Sequence, residues 1–212
     1  MKNVATAAIK TGDRLKLAGV ARCYVTRNRA VAEMMVLDQW SLRRIATNQY
    51  HWGLGKVNCM PPDGPSYRVD FPPDLFLYAV ADALVGSAKR LSLGDLPQRA
   101  RVKLLTPTLP PGASFASMPP KARQQLIAEL TLPVFSECVV RSAPGSVEAL
   151  LRTGIASQQE AATLSALGGS LGACVAQGVT YSLSPEALRG NLALAYYRLA
   201  HAPMLAPANA GQ

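Results

Sequence analysis

Four cysteines at equal spacing are the feature that most constrains the fold of this chain. Cys23 and Cys59 are 36 residues apart, and so are Cys138 and Cys174, which places the second pair 115 residues after the first. Self-similarity at a fixed interval indicates an internal repeat. We therefore predict two diverged copies of one small unit, each containing one cysteine pair.

The sequence around the cysteines follows the same spacing to within a few residues of insertion. A valine followed four residues later by an apolar side chain begins at Val31 in the first copy and at Val147 in the second. After the second cysteine of each copy the offset falls to 112, so that Pro73-Asp74 matches Pro185-Glu186. The matching helix starts favour duplication over chance spacing.

Composition and capping signals predict helices. Aromatic residues make up only 6% of the chain, and the abundant Ala and Leu are strong helix formers, whereas strands favour β-branched and aromatic residues. Ser157 and Ser184 are predicted N-caps, and Pro185 with Glu186 suits a first helical turn. An apolar stripe follows at helical spacing, formed by Leu188, Leu192, Ala195, Tyr196 and Leu199.

Breaks in the helices can also be predicted. Pro120 is expected to begin a helix that Pro133 then breaks or bends, and Gly168-Gly169 is expected to interrupt the helix that Ser157 opens. No segment shows convincing two-residue alternation, with residues 102–105 the nearest to it. The predicted fold class is therefore all-α, with two similar disulfide-closed helical units.

The predicted organisation has four parts. Helical repeat unit 1 covers residues 14–87, unit 2 covers residues 120–200, and a flexible tail covers residues 201–212. The connector at residues 88–119 is rich in proline and is expected to be extended and irregular. It is also basic, because residues 88–124 carry seven Lys and Arg against Asp95, a net charge of +6 out of +9 for the chain.

The cysteines have three interpretations. As disulfides they permit three connectivities, of which duplication favours Cys23–Cys59 and Cys138–Cys174, because each ancestral unit had to close on itself. Zinc ligands come as close pairs, which the sequence lacks, and neither His51 nor His201 has a counterpart in the other copy, so no metal or cofactor is predicted. Reduced, buried cysteines are the remaining alternative.

Cysteine usage also bears on the compartment. Persistent disulfides occur where the environment is oxidising. No apolar run approaches the roughly 18–20 residues of a membrane-spanning helix, and the first twenty residues lack the apolar core of a signal peptide. We therefore predict a periplasmic or extracellular protein whose export signal has been removed.

A phrase in the second copy consists of residues 137–141, residues 149–151, Glu160, Cys174, Leu188-Arg189-Gly190 and residues 193–199. This phrase resembles a family of uncharacterised exported proteins common in alphaproteobacteria. The resemblance covers both copies, more faintly in the first, which lacks the Leu-Arg-Gly triplet. It implies export and a helical repeat, and it implies no activity.

Catalytic patterns are weak. Residues 168–172 match G-x-S-x-G, but the nucleophile elbow needs a strand before it and a helix after it, and here the motif lies inside a predicted helix. We interpret it as a helix-packing or kink motif. Paired carboxylates at Asp70 and Asp74, or at Glu137 and Glu148, could serve a hydrolase, although capping or flanking a helix is the simpler interpretation.

The favoured function is therefore a non-enzymatic exported interaction or structural protein, for example an accessory subunit of an envelope complex. The aromatic cluster of Trp40, Tyr50 and Trp52 has no counterpart in the other copy, and such residues dominate binding hot spots. Two alternatives stay open. One is anion or nucleic-acid binding through the connector, and the other is a hydrolase with an unrecognised site. The connector residues expected to carry anion binding are Arg99, Arg101 and Lys103.

Overall fold

The computed structural model describes residues 2–5, 8–37, 59, 73–88, 91, 93–94, 96, 100 and 116–203, within which the fold is mostly helical. The first half (residues 2–88) contains β1 (Lys2–Ala5), α1 (Thr11–Arg27), α2 (Arg29–Leu37) and α3 (Pro73–Ser87). The second half (residues 116–203) contains α4 (Pro120–Ser142), α5 (Pro144–Arg152), α6 (Gln158–Ala166), α7 (Gly168–Ala173), β2 (Val179–Ser182) and α8 (Pro185–Ala200). None of the described helices is long and apolar enough to cross a membrane.

Helices α3 and α8 form the centre of the fold. They pack against each other, with α1 and α2 against α3, and with α4 and α5 against α8. Helix α8 is buried on nearly every side, so that residues outside the predicted apolar stripe, among them Leu194 and Tyr197, are as enclosed as those in it, whereas Leu188 is partly exposed. A helix enclosed on all sides does not need the one-sided stripe of a surface helix.

Both predicted disulfides are present. Cys23 is bonded to Cys59 and Cys138 to Cys174, with Cα–Cα distances of 5.6 and 5.7 Å. All four cysteines are therefore accounted for, and the reduced and metal-bound alternatives are both excluded.

The all-α prediction omitted a pair of strands. Strand β1 runs parallel to β2, with Lys2 opposite Val179 and Ala5 opposite Ser182. Each strand has four residues, which is too short for alternation to be recognised, and parallel pairing between the two ends of the chain gives no hairpin signal.

The predicted helix boundaries are confirmed at the caps but not at Pro133. Ser157 Oγ accepts the Glu160 N–H at 3.1 Å, and Ser184 Oγ accepts the Ala187 N–H at 3.4 Å. Helix α4, in contrast, continues through Pro133. Leu132 before it and Phe135 after it are both buried, whereas Val134 is exposed, and packing of the buried side maintains the helix across the missing proline N–H.

The junctions between the first two helices of each half have the same geometry. Asn28 separates α1 from α2 with φ −138° and ψ 47°, and Ala143 separates α4 from α5 with φ −140° and ψ 56°. Their N–H groups donate to Tyr24 O and Val139 O, respectively. Buried positions on the two nine-residue helices also coincide at the offset of 115, namely Ala32, Met35 and Val36 in α2 and Val147, Leu150 and Leu151 in α5.

Candidate functional site

A buried arginine of the central helix α8 caps the C-terminal end of α5. Arg189 Nη1 donates to Leu150 O at 3.2 Å, and Nη2 donates to Leu151 O at 3.0 Å and to Thr153 O at 3.2 Å. These carbonyls belong to the last turn of α5 and its continuation. A cation is favoured there because the helix dipole is negative at the C-terminus.

Two carboxylates from different halves balance the charge of Arg189. Its Nε lies 3.1 Å from Asp82 Oδ1 on α3, and its Nη1 lies 3.2 Å from Glu160 Oε1 at the start of α6. Glu160 is 2% exposed. Its Oε2 also accepts the N–H of Ala156 at 2.8 Å, a residue with φ 60°, so the carboxylate holds a left-handed turn in place.

Arg14 on α1 completes this group. Its Nη2 donates to both oxygens of Glu160 at 2.9 and 2.8 Å, and its Nε lies 3.6 Å from Glu186 Oε2. Glu186 Oε1 in turn accepts the Ile9 N–H at 2.7 Å. We call the resulting set the charge cluster, and its members are Arg14, Asp82, Glu160, Glu186 and Arg189.

The charge cluster connects the two halves of the molecule. Arg14 and Asp82 come from the first half, and the other three members come from the second. Burial raises the pKa of Asp82, Arg189 lowers it in part, and Glu160 raises it again. The arrangement can bind and release a proton at Asp82. Its side chains contact one another and helix ends, and these contacts join the two halves.

A second arginine of α8 caps the C-terminal end of α2 in the same way. Arg198 Nε donates to Val36 O at 2.7 Å, and Val36 corresponds to Leu151 at the offset of 115. Burial lowers the pKa of Arg198 to about 10, which leaves the guanidinium charged at neutral pH. Both short helices therefore end against a guanidinium group from α8.

An open groove lies between α5, α8 and the described residues Leu91, Leu93, Gly94 and Leu96. Its volume is about 380 Å³, and an adjoining hollow of about 260 Å³ shares Leu91, Glu148, Arg152 and Tyr196 with it. Tyr196 donates to Leu91 O at 3.3 Å. The Glu148–Arg152 ion pair, 2.6 Å long, stands at the rim. The groove thus offers leucine side chains and one exposed ion pair.

The predicted binding residues Trp40, Tyr50, Trp52, Arg99, Arg101 and Lys103 all lie outside the described residues, as do Asp70, His51 and residues 102–105. Of the predicted carboxylates, Glu137 pairs with Arg141 at 2.7 Å, and Glu148 pairs with Arg152. Asp74 lies in the first turn of α3, and burial raises its pKa. Glu137 and Glu148 therefore each face an arginine of their own helix rather than a shared cleft.

The G-x-S-x-G motif lies in α7, after the break at Leu167 that separates α7 from α6. A Cβ added at Gly168, Gly169 or Gly172 would meet nothing within 4 Å. The motif therefore interrupts the helix, as predicted, but its glycines do not serve close packing.

Part of the predicted connector packs against the second half. Leu93 is buried in the core, and Arg141 donates to the carbonyls of Leu96 at 2.6 Å and Ala100 at 3.1 Å. Ala100 N–H donates to Pro203 O at 3.0 Å. These described residues are therefore held in place by the second half.

The sequence does not predict the charge cluster as a unit. Glu160 and Arg189 stand out in the sequence only within the phrase that carries the family resemblance. The available signal was a pair of charged residues, Glu186 and Arg189, inside a helix with apolar residues on every side.

In the part of the chain that the structure describes, no group of three or more His, Cys, Asp or Glu side chains could hold a metal ion. No family model matches this chain, and the searches of curated proteins and of solved structures also find no significant match.

Proposed function

We propose that this protein is a non-enzymatic exported interaction or structural protein made of two duplicated helical units. The observation that supports this most is the charge cluster, in which buried and partly buried ionic groups from α1, α3, α6 and α8 join one half to the other. Buried charges that satisfy helix ends and one another stabilise a unique arrangement of helices rather than a reaction.

The duplication rests on agreement at several levels. The disulfides span equal intervals, the helix junctions have matching torsion angles, and the buried positions of α2 and α5 coincide. Helix α3 begins at Pro73 and α8 at Pro185, which is the predicted offset of 112. Unrelated helical hairpins would not share all four features.

Export is supported by the two disulfides, since such bonds persist in oxidising compartments and are rare in the cytosol. The resemblance to exported alphaproteobacterial proteins points the same way. Fractionation of cells that express the complete gene tests the compartment. We expect oxidised protein in the periplasm or medium, and reduced protein confined to the cytosol would contradict the proposal.

A protein partner is the proposed ligand, and the aromatic cluster of Trp40, Tyr50 and Trp52 is the proposed surface. The test is a pull-down from the native envelope fraction with the wild-type chain and with a Trp40→Ala, Trp52→Ala double variant. Leu15→Ala, a change at a described side chain that is 50% exposed, is the matched control. A partner that the control retains and the double variant loses supports the proposal, whereas equal capture by all three proteins opposes it.

Anion or nucleic-acid binding through Arg99, Arg101 and Lys103 is the second candidate, favoured by the +6 net charge of residues 88–124. Neutralising three cations that contact phosphates reduces the number of released counterions, so the logarithm of affinity should fall less steeply with salt. Titration of labelled DNA at several salt concentrations measures this slope. An unchanged slope in the Arg99→Gln, Arg101→Gln, Lys103→Gln variant would eliminate this candidate.

A further inference from the structure

The two halves meet most closely where α3 crosses α8. A Cβ added at Gly190 would lie 2.2 Å from Tyr78 Cβ, 2.8 Å from Tyr78 Cγ and 3.2 Å from Tyr78 Cα. The helices are therefore so close that only glycine can occupy position 190 while the side chain of Tyr78 lies opposite it. This contact explains a helix-interior glycine, which would otherwise reduce helix stability by about 1 kcal/mol relative to alanine.

Tyr78 and Gly190 are also equivalent positions. The offset of 112 that superposes Pro73 on Pro185, the first residues of α3 and α8, superposes position 78 on position 190. A residue meets its own counterpart where a twofold axis passes through an interface. Two further helix contacts fit the same operation, because α2 touches α8 while α3 touches α5, and the operation exchanges these two pairs.

We infer that the interface between the halves is isologous, so that the α3 face of one unit is a docking surface for a second copy of the same unit. The inference rests on the proposed duplication and adds the partner and the geometry. In this chain the second copy is supplied in cis. The side chain of Tyr78 fills the space on the axis, and Gly190 leaves room for it.

The charge cluster shows how the two units have diverged around this axis. At the offset of 112, Asp82 corresponds to Leu194 and Arg189 corresponds to Leu77. The Asp82–Arg189 ion pair therefore has no mirrored copy across the axis. It favours the pairing of one half with the other over the pairing of either half with itself.

The inference is tested by exchanging the two residues on the axis in the complete chain. If a twofold axis passes between them, a tyrosine from α8 can fill the space that a tyrosine from α3 now fills. Tyr78→Gly removes a buried aromatic side chain and should lower Tm by roughly 10 °C. Tyr78→Gly combined with Gly190→Tyr should regain at least half of that loss.

The matched control combines Tyr78→Gly with Gly19→Tyr, which introduces a tyrosine into α1 where an added Cβ meets nothing within 4 Å. It should melt no higher than Tyr78→Gly, apart from the small gain in helix propensity. An exchanged variant that melts no higher than this control overturns the twofold interface. If Tyr78→Gly does not fold, recovery of oxidised, cooperatively melting protein on adding Gly190→Tyr replaces the comparison, and failure to recover it counts equally against the inference. Neither result bears on export or on capture of a partner.

Discussion

Arg189 and Glu160 form an ion pair of 3.2 Å between side chains that are 5% and 3% exposed. Around them, Asp82 and Arg14 extend the contact into the first half, and the last carbonyls of α5 accept the remaining guanidinium protons. Removing one member of such a set leaves buried charges without partners, and this is more costly than losing an exposed pair.

Arg189→Leu should therefore destabilise the protein by about 3–5 kcal/mol. This holds even though Leu77 is the residue that the proposed repeat, at its offset of 112, aligns with Arg189. The variant leaves Asp82 and part of Glu160 uncompensated and exposes the end of α5. Urea unfolding followed by circular dichroism measures the change. Arg152→Leu is the control, because its pair with Glu148 is exposed at the surface and should contribute little to stability. Equal losses in the two variants would contradict a structural role for the charge cluster.

The pH dependence of stability should report on Asp82. Burial raises its pKa in the folded protein above the usual value of 3.8, so the folded state holds this proton more tightly than the unfolded state does. The stabilisation that Asp82 contributes is then complete below its unfolded pKa and is lost as pH rises through its folded pKa.

The Asp82→Asn variant cannot show this titration, so the wild type should lose stability relative to it as pH rises. The constant cost of weakening the contact with Arg189 shifts the whole curve without changing its slope. Urea unfolding of both proteins between about pH 4 and about pH 8 gives the difference curve. A difference that is flat, or that rises with pH, would show that the pKa of Asp82 is not raised.

The parts of this structure that sequence predicts are those encoded locally. Ser157 and Ser184 cap helices because each side chain needs only the N–H three residues along the chain, and the cysteine pairing is predicted from the equal spacing of the four cysteines. The features that were missed depend on distant segments. Strand β1 forms because Lys2 meets Val179, and neither four-residue segment alone indicates a strand.

The charge cluster was missed for the same physical reason. Arg189 lies outside the apolar stripe predicted for α8 and would face solvent if α8 had one covered side. It is buried because α3 and α5 both contact α8, and Asp82 lies 107 residues away along the chain. Helix periodicity gives the faces of a helix but not the number of its neighbours.

The two disulfides should stabilise the protein by similar amounts. In the entropic model the stabilisation depends on loop length, which is the same for both bonds, and it amounts to about 4 kcal/mol for a loop of this size. We expect Cys23→Ser, Cys59→Ser and Cys138→Ser, Cys174→Ser to lower the free energy of unfolding by values within about 1 kcal/mol of each other. Guanidinium unfolding without reductant measures both. A loss confined to one pair would show that only one unit depends on its bond.

The two serine caps should contribute unequally, although both were predicted from the same kind of signal. Ser157 Oγ accepts at 3.1 Å and Ser184 Oγ at 3.4 Å, and the N–H that Ser157 satisfies belongs to Glu160, whose carboxylate is the centre of the charge cluster. Ser157→Ala should therefore cost about 1–2 kcal/mol and Ser184→Ala about 0.5–1 kcal/mol. Thermal and urea unfolding of both variants measure the difference. Ser157→Gly and Ser184→Gly are the controls, because glycine at an N-cap should change stability by only a few tenths of a kcal/mol. The reverse order would mean that the turn before α6 is held by Glu160 and its arginines alone, with the serine contributing only a surface hydrogen bond.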